Sequence, residues 1–258
     1  MTCGGQVESR HRAALAGQLR EALGVEEPIR ELGQLLARDP ELAGRAPAAE
    51  RLYILGDLFE AWVGDDDPNT HYFTIKRALR KLTDGGIPVY FMHGNRDFLL
   101  SGQFTQETGC HLLPDPARIN LYGTATVLMH GDSLCSDDRD YQRLRNRVRD
   151  PVWQQNILGR PVEQRLQMAR QARVLSSQSK QGKDETIMDA NQDAIRRAVE
   201  ANHADLLIHG HTHRPGIHTF KNNGRKITRI VLGDWYETGS VLAVNHRGWR
   251  LKTLNCGA

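Results

Sequence analysis

No stretch of this 258-residue chain comes near the roughly 20 consecutive apolar residues that a membrane-crossing helix needs, so no such helix is expected. The N-terminus carries no apolar h-region, and a secretory signal is not expected either. Cysteine is scarce and scattered at Cys3, Cys110, Cys135 and Cys256, with no C-x-x-C pair. That argues against a disulfide framework or a structural zinc site and makes a reducing compartment the default. Charge of one sign is also lacking overall, since the formal net charge is only +3. Internal repeats and low-complexity tracts are absent. What remains is the composition of a soluble globular protein, long enough for one large domain or two small ones.

The charge that exists is unevenly placed. Residues 139–183 hold eleven Lys/Arg against three acids, Asp140, Asp150 and Glu163, a local field suited to an anionic ligand or surface. The chemistry gathers elsewhere. In Leu207-Ile208-His209-Gly210-His211-Thr212-His213 an apolar run ends in glycine and then offers two imidazoles. Tyr53-Ile54-Leu55-Gly56-Asp57, Val89-Tyr90-Phe91-Met92-His93-Gly94-Asn95-Arg96-Asp97 and Val127-Leu128-Met129-His130-Gly131-Asp132 repeat that design. Each reads as a buried strand, a glycine turn and a metal-competent tip. One strand-end histidine is more often packed or solvated than a ligand, but four such tips in one chain point to a metal site. Asp57, Asn95, His130, His211 and His213 are the core set. A carboxylate can bridge two cations, an amide oxygen is a hard neutral ligand, and imidazoles suit Mn, Fe, Co or Zn. Two such ions would activate a water and clamp phosphoryl oxygens.

Periodicity and turn residues predict helices over residues 12–23 and 28–38, then a strand over 52–55 and a long acidic loop over 57–68. Thr70 is expected to cap a helix that runs to Asp84 and ends at Gly85-Gly86. A strand over 89–92, a short helix over 98–108 and a hairpin turning at Gly123-Thr124 follow. Residues 137–202 read as mostly helical, with breaks near Pro151, Gly159-Arg160-Pro161 and Gly182. Strands over 217–221, 227–232, 240–245 and 249–254 complete the chain, with hairpin turns at Asn222-Asn223-Gly224 and His246-Arg247-Gly248.

Gly56-Asp57, Gly94-Asn95-Arg96-Asp97, His130-Gly131-Asp132 and Gly210-His211-Thr212-His213 resemble the calcineurin-like metallophosphoesterases. The longer segments 53–62, 93–100, 130–135 and 209–215, with Ile187-Met188-Asp189 and Leu232-Gly233-Asp234-Trp235, are similar to the UDP-2,3-diacylglucosamine diphosphatases of lipid A biosynthesis. The resemblance covers about residues 50–254. It implies an α/β fold, a four-layer α/β/β/α sandwich with an inserted helical cap. The core would be 51–136 and 203–258, the cap 137–202, and 1–50 a divergent helical segment. It implies hydrolysis of the pyrophosphate of UDP-2,3-diacylglucosamine by water attack on the α-phosphorus, giving UMP and 2,3-diacylglucosamine 1-phosphate.

The resemblance also assigns roles. Two Mn²⁺ ions are expected. Asp57 would bridge them, Asn95, His130 and His211 would complete the second site, and His213 would serve the first. Asp57, Asn95, Arg96 and His130 would be catalytic, with Arg96 clamping phosphate oxygens. Asn95, Arg96, Asp138, Ser176, Lys180, Lys183 and His211 would contact substrate. A surface ion pair for Arg96, and a solvated helix face for Ser176, Lys180 and Lys183, are the plain alternatives. Within the basic cap, Val148, Trp153, Ile157, Leu158, Leu166, Met168, Val174 and Leu175 either wall the acyl chains or form a small core. With Trp62 and Asp65-Asp66-Asp67, the cap favours a bulky lipid-nucleotide. A monomer bound peripherally to the cytoplasmic face of the anionic inner membrane is expected, without nucleic acid.

One departure stands out. Members open with a strand ending in Asp-x-His that serves the first metal, and residues 1–50 contain no Asp-x-His. The first strand is therefore expected to be missing or replaced. Three accounts stay open: a disturbed 5′ reading frame, a weak first site served by Glu8, His11, Glu26 or Glu27, or a single-metal or inactive relative that binds the UDP-lipid without turnover.

Overall fold

The computed structural model describes residues 49–180, 187–235 and 238–255. The expected helices over 12–23 and 28–38, the replaced first strand, the stand-in ligands Glu8, His11, Glu26 and Glu27, the break at Gly182 and Lys183 lie outside the described residues.

The first sheet is parallel. Strands β1 (Leu52–Ile54), β2 (Val89–Met92) and β3 (His111–Leu113) lie in that order, joined through helices α1 (His71–Asp84) and α2 (Gly102–Thr108). Alternation along the strands sorts their side chains between two cores. Leu52, Ile54, Val89 and Phe91 join an aromatic cluster of Phe59, Trp62, Tyr72 and Phe104 with Leu79 of α1, while Leu55 and Met92 join the layer between the sheets. Strand β1 stops at Ile54, one residue earlier than expected. Thr70 occupies the expected N-cap position of α1 but makes no side-chain cap, because its backbone is already helical (φ −67°, ψ −20°) where a capping side chain needs an extended one. Phe73, expected on the apolar face of α1, is exposed.

The second sheet is mixed. It contains β4 (Ala117–Leu121), β5 (Thr124–Met129), β6 (Leu206–His209), β7 (Gly216–Asn222) and β8 (Arg225–Val231) in the order β4-β5-β6-β8-β7. β5, β6 and β8 run parallel, so their C-terminal ends share one edge. Leu128, Leu206, Ile208 and Ile230 face the first sheet. Val127, Leu207 and Ile227 face the other way, onto Ala194, Ile195 and Val199 of α6 (Gln192–Ala201). Those helices, two sheets and α6 make an α/β/β/α sandwich. A further antiparallel pair, β9 (Thr238–Asn245) and β10 (Gly248–Asn255), adds Leu242 and Leu251 to the layer between the sheets.

Helices α3 (Arg139–Val148), α4 (Pro151–Leu158) and α5 (Val162–Lys180) lie between β5 and α6 in the chain. Asp138 and Asp150 cap α3 and α4, accepting from Tyr141 N and Trp153 N. The apolar cap residues divide. Ile157 is buried in the first core with Trp153 and Met168 packed beside it, whereas Leu158, Val174 and Leu175 are exposed. Trp62, taken above with the acidic loop as favouring a bulky lipid-nucleotide, is a core anchor, and its neighbours hold structure. Asp65 accepts from Trp62 Nε1 (3.0 Å) and from Ser101 N (3.1 Å) and Phe104 N (2.9 Å) at the start of α2, and Asp66 accepts from Arg165.

Candidate metal centre

Asp57 follows β1 through a turn at Gly56, and both residues adopt left-handed backbone, φ 87° and 54°. Close approach is a second reason for glycine at position 56 and the reason for glycine at 94. A Cβ on Gly56 would stand 2.5 Å from Gly94 N, so these two turns touch backbone to backbone. Asp57 Oδ1 accepts from Arg96 N at 2.9 Å, and Asp57 Oδ2 lies 3.7 Å from both Arg96 Nε and His130 Nε2. His211 (φ 66°) and His213 (φ 53°) are also left-handed. Three of the five expected ligands thus sit in strained backbone, a cost that clusters at functional sites.

His130 is fully buried and its Nδ1 lies 2.8 Å from the Leu55 carbonyl, which can only accept. Nδ1 therefore carries the proton, and Nε2 turns its lone pair into the site. That lone pair meets another acceptor, Asn95 Oδ1, at 3.1 Å. His211 Nδ1 approaches the same oxygen at 2.9 Å. Ligand atoms of Asp57, His130 and His211 all lie within 4.8 Å of one another. His211 Nδ1–H can donate to that oxygen, but His130 Nε2 and Asn95 Oδ1 face each other as acceptors and need either a proton on Nε2 or a cation between them. A cation answers all of them at once, and a carboxylate, an amide oxygen and two imidazoles fit a divalent transition-metal ion.

The surroundings tune these groups. Burial pushes His211 down to about 4, with His130 adding to the effect, so its ring is neutral near pH 7 and fit to ligate. Burial opposes protonation of His130, but the carboxylates of Asp57 and Asp132 outweigh it and raise its pKa. Asp97 is fully buried, and burial followed by repulsion from Asp57 pushes it up to about 7. Its two oxygens accept from Gly94 N (2.7 Å) and Leu58 N (2.8 Å), tying the first two turns together. Burial, aided by Arg229, pushes His209 down to about 3. As a neutral ring it accepts from Arg229 Nε at 2.9 Å and donates Nδ1–H to the Gly210 carbonyl, also at 2.9 Å.

The structure brings together Asp57, Asn95, His130 and His211, with Arg96 beside them. His213 stands apart from that group, its Nδ1 3.6 Å from Asp234 Oδ2. Asp138 caps α3, Ser176 is exposed on α5, and Lys180 is the last residue of that helix. Sequence reading missed several groups that hold the site. Asp132, fully buried, accepts from Tyr141 Oη at 3.1 Å and lies 2.9 Å from Arg145 Nε. The Tyr141 ring stacks on His211 with centroids 5.8 Å apart. Glu60 takes both Arg96 and, at 2.8 Å, Arg173. Asp97 and Asp132 had a local signal, each standing just behind a glycine-flanked ligand tip. Glu60 and Arg173 had none.

The family model of the calcineurin-like phosphoesterases matches residues 29–215. A protein of Stenotrophomonas maltophilia (strain K279a) named UDP-2,3-diacylglucosamine hydrolase is 48% identical over 220 residues, covering 83% of this chain and 89% of its own. Proteins of the same name from Xanthomonas axonopodis pv. citri (strain 306) and Marinobacter nauticus (strain ATCC 700491 / DSM 11845 / VT8) are 48% identical over 220 residues and 50% identical over 196. They cover 83% and 76% of this chain and 89% and 80% of their own.

Proposed function

The chain belongs to the calcineurin-like phosphoesterase family, and from that membership we propose that it is a metal-dependent hydrolase of UDP-2,3-diacylglucosamine. It adds water across the pyrophosphate, giving UMP and 2,3-diacylglucosamine 1-phosphate. The observation that carries this reading is the convergence of His130 Nε2 and His211 Nδ1 on one Asn95 oxygen, with ligand atoms of Asp57 and the two histidines within 4.8 Å of one another. The binding-only alternative is not favoured, because relatives named as hydrolases match over most of the chain.

Asp57, Asn95, His130 and His211 would hold a divalent ion, Mn²⁺ in this proposal, and His213 with Asp57 would serve a second. When bound, such ions supply a hydroxide-like water near neutral pH and neutralise phosphoryl charge. The chain's own groups do the rest. Leu55 holds His130 in the tautomer whose Nε2 faces the reacting centre. The Arg96 guanidinium, beside Asp57, would clamp phosphate oxygens as charge grows in the transition state. Ser176, Lys180 and Lys183 would bind the nucleotide-lipid from the cap side, with Asp138 at the head of α3.

The same proposal extends to location. Leu144, Val152, Val174 and Leu175 are exposed on α3, α4 and α5 among Arg143, Arg147 and Arg170. Apolar and cationic side chains together suit acyl chains and an anionic headgroup surface, and the enzyme would work as a monomer at the cytoplasmic face of the inner membrane. No helix among the described residues is long and apolar enough to cross a membrane.

UMP release from UDP-2,3-diacylglucosamine by the purified chain, with and without Mn²⁺, tests this reading. Metal-dependent release that His130→Ala abolishes is expected. A folded chain that binds the lipid and releases no UMP would overturn it.

A further inference from the structure

Glu60 lies in the acidic loop between β1 and α1, with a side chain only 15% exposed. One of its oxygens, Oε2, is shared by two guanidiniums. Arg96 Nη1 reaches it from the loop behind β2, and Arg173 Nη2 reaches it from α5 at 2.8 Å. Arg173 also donates to the Glu60 carbonyl at 2.9 Å, so α5 grips both the backbone and the side chain of this residue. Arg96 is thus held between two carboxylates, Glu60 on one side and Asp57 on the other, with its Nε 3.7 Å from Asp57 Oδ2.

The second attachment of α5 gives the arrangement its geometry. Arg165 is 2% exposed and hydrogen-bonds both oxygens of Asp66, one at 2.8 Å, and the Val63 carbonyl of the same acidic loop. Arg165 and Arg173 are eight residues apart, roughly 12 Å along one face of the helix. Arg165 is the buried anchor. Arg173, 40% exposed, is the end that meets the site. Arg96 in turn holds Asp57 through its backbone N–H.

We propose that Glu60 is a positioning residue whose single carboxylate aims Arg96 at the reacting phosphate and seats α5 through Arg173, so that cap and catalytic loop are set together. The proposal rests on the hydrolase reading for its kinetic arm, and an independent arm reads the arginines directly.

The full chain is compared with Glu60→Gln, Glu60→Asp, Arg173→Gln and the Glu60→Gln/Arg173→Gln double variant. Measurements are UMP release with Mn²⁺, thermal midpoint, and phenylglyoxal labelling of Arg96 followed by mass spectrometry. Glu60→Gln should lower kcat about ten- to hundredfold with KM moving less than about threefold, and Glu60→Asp should recover part of the loss. The double variant should be no worse than the poorer single variant within about twofold, because both break one unit. Arg96 labelling should rise in Glu60→Gln, which removes the carboxylate that holds it. Glu60→Gln with unchanged kcat, effects that multiply, or Arg96 labelling that does not respond would overturn the proposal. A lowered midpoint with unchanged kcat would mean that Glu60 only stabilises the fold, which also overturns it. If the unaltered chain releases no UMP, the hydrolase reading fails, and the labelling of Arg96 still decides the positioning role.

Discussion

Gly94 gives its side-chain space to Asp57. A Cβ on Gly94 would stand 2.1 Å from Asp57 Oδ1 and 2.3 Å from Asp57 N. The backbone contact cannot be relieved by a rotamer change. Gly94→Ala should therefore displace the carboxylate and break its bond from Arg96 N. Divalent-ion affinity is expected to fall roughly ten- to hundredfold, with a stability loss of about 1–3 kcal/mol. Calorimetric Mn²⁺ titration and chemical denaturation measure the two, and unaltered affinity would contradict the account.

The Asp66–Arg165 pair sets a pH dependence. The hydrogen bond from Arg165 holds the Asp66 carboxyl below its ordinary range, against the opposing effect of burial. The unfolded chain therefore takes up this proton first as pH falls. The stabilisation is full above the unfolded value, about 3.9, and is lost as pH drops through the lower folded value. Below that point Arg165 stays buried without its counter-charge. Thermal midpoints should fall between pH 6 and pH 3. Asp66→Asn should start lower at pH 6 and fall less; equal slopes for the two proteins would refute the assignment.

Helix α6 lies in the helical stretch 137–202 yet packs on the mixed sheet, and truncation should reveal the difference. Ile195 is fully buried there. Ile195→Ala should cost about 2–5 kcal/mol in urea unfolding. Val152→Ser, at an exposed position on α4, should stay within about 0.5 kcal/mol of the parent.

The four ligand tips were legible because each signal is local: an apolar run, a glycine and a donor within a few residues. The strand ends they imply are where the structure puts them, after β1, β2, β5 and β6. Strand β3 was missed because His111 and Leu112 are exposed and only three residues pair, so the strand is set by β2 rather than by its own pattern. The β4–β5 hairpin turns at Tyr122-Gly123, not Gly123-Thr124. Both residues are left-handed (φ 49° and 90°), which a two-residue turn matching strand twist demands. The core role of Trp62 was not legible because it stands in an acidic loop, while its ring packs among Phe59, Tyr72 and Phe104. Contacts such as Glu60 to Arg173, 113 residues apart, leave no trace in local spacing.

Arg229 and His209 offer a test of the loop that carries His211. His209→Leu removes the acceptor of Arg229 and the ring donor to Gly210, while Thr212 N still bonds that carbonyl at 2.8 Å. A loss of about 1–3 kcal/mol is expected from the stranded polar groups, read by chemical denaturation. Arg229→Met strands less and should cost less. The reverse order would show that Arg229 has a larger role than holding this ring.

The ligand set is drawn from both halves of the sandwich. Asp57 and Asn95 follow strands of the three-stranded sheet, and His130 and His211 follow strands of the five-stranded one. A bound cation is therefore a clasp across the interface as well as a reagent. In hundredfold excess over its dissociation constant it would add about 2.7 kcal/mol to the folded state. Chelation should then loosen the sheets from their ligand-bearing edge, so how firmly the two halves grip each other is set partly by the ion content of the buffer.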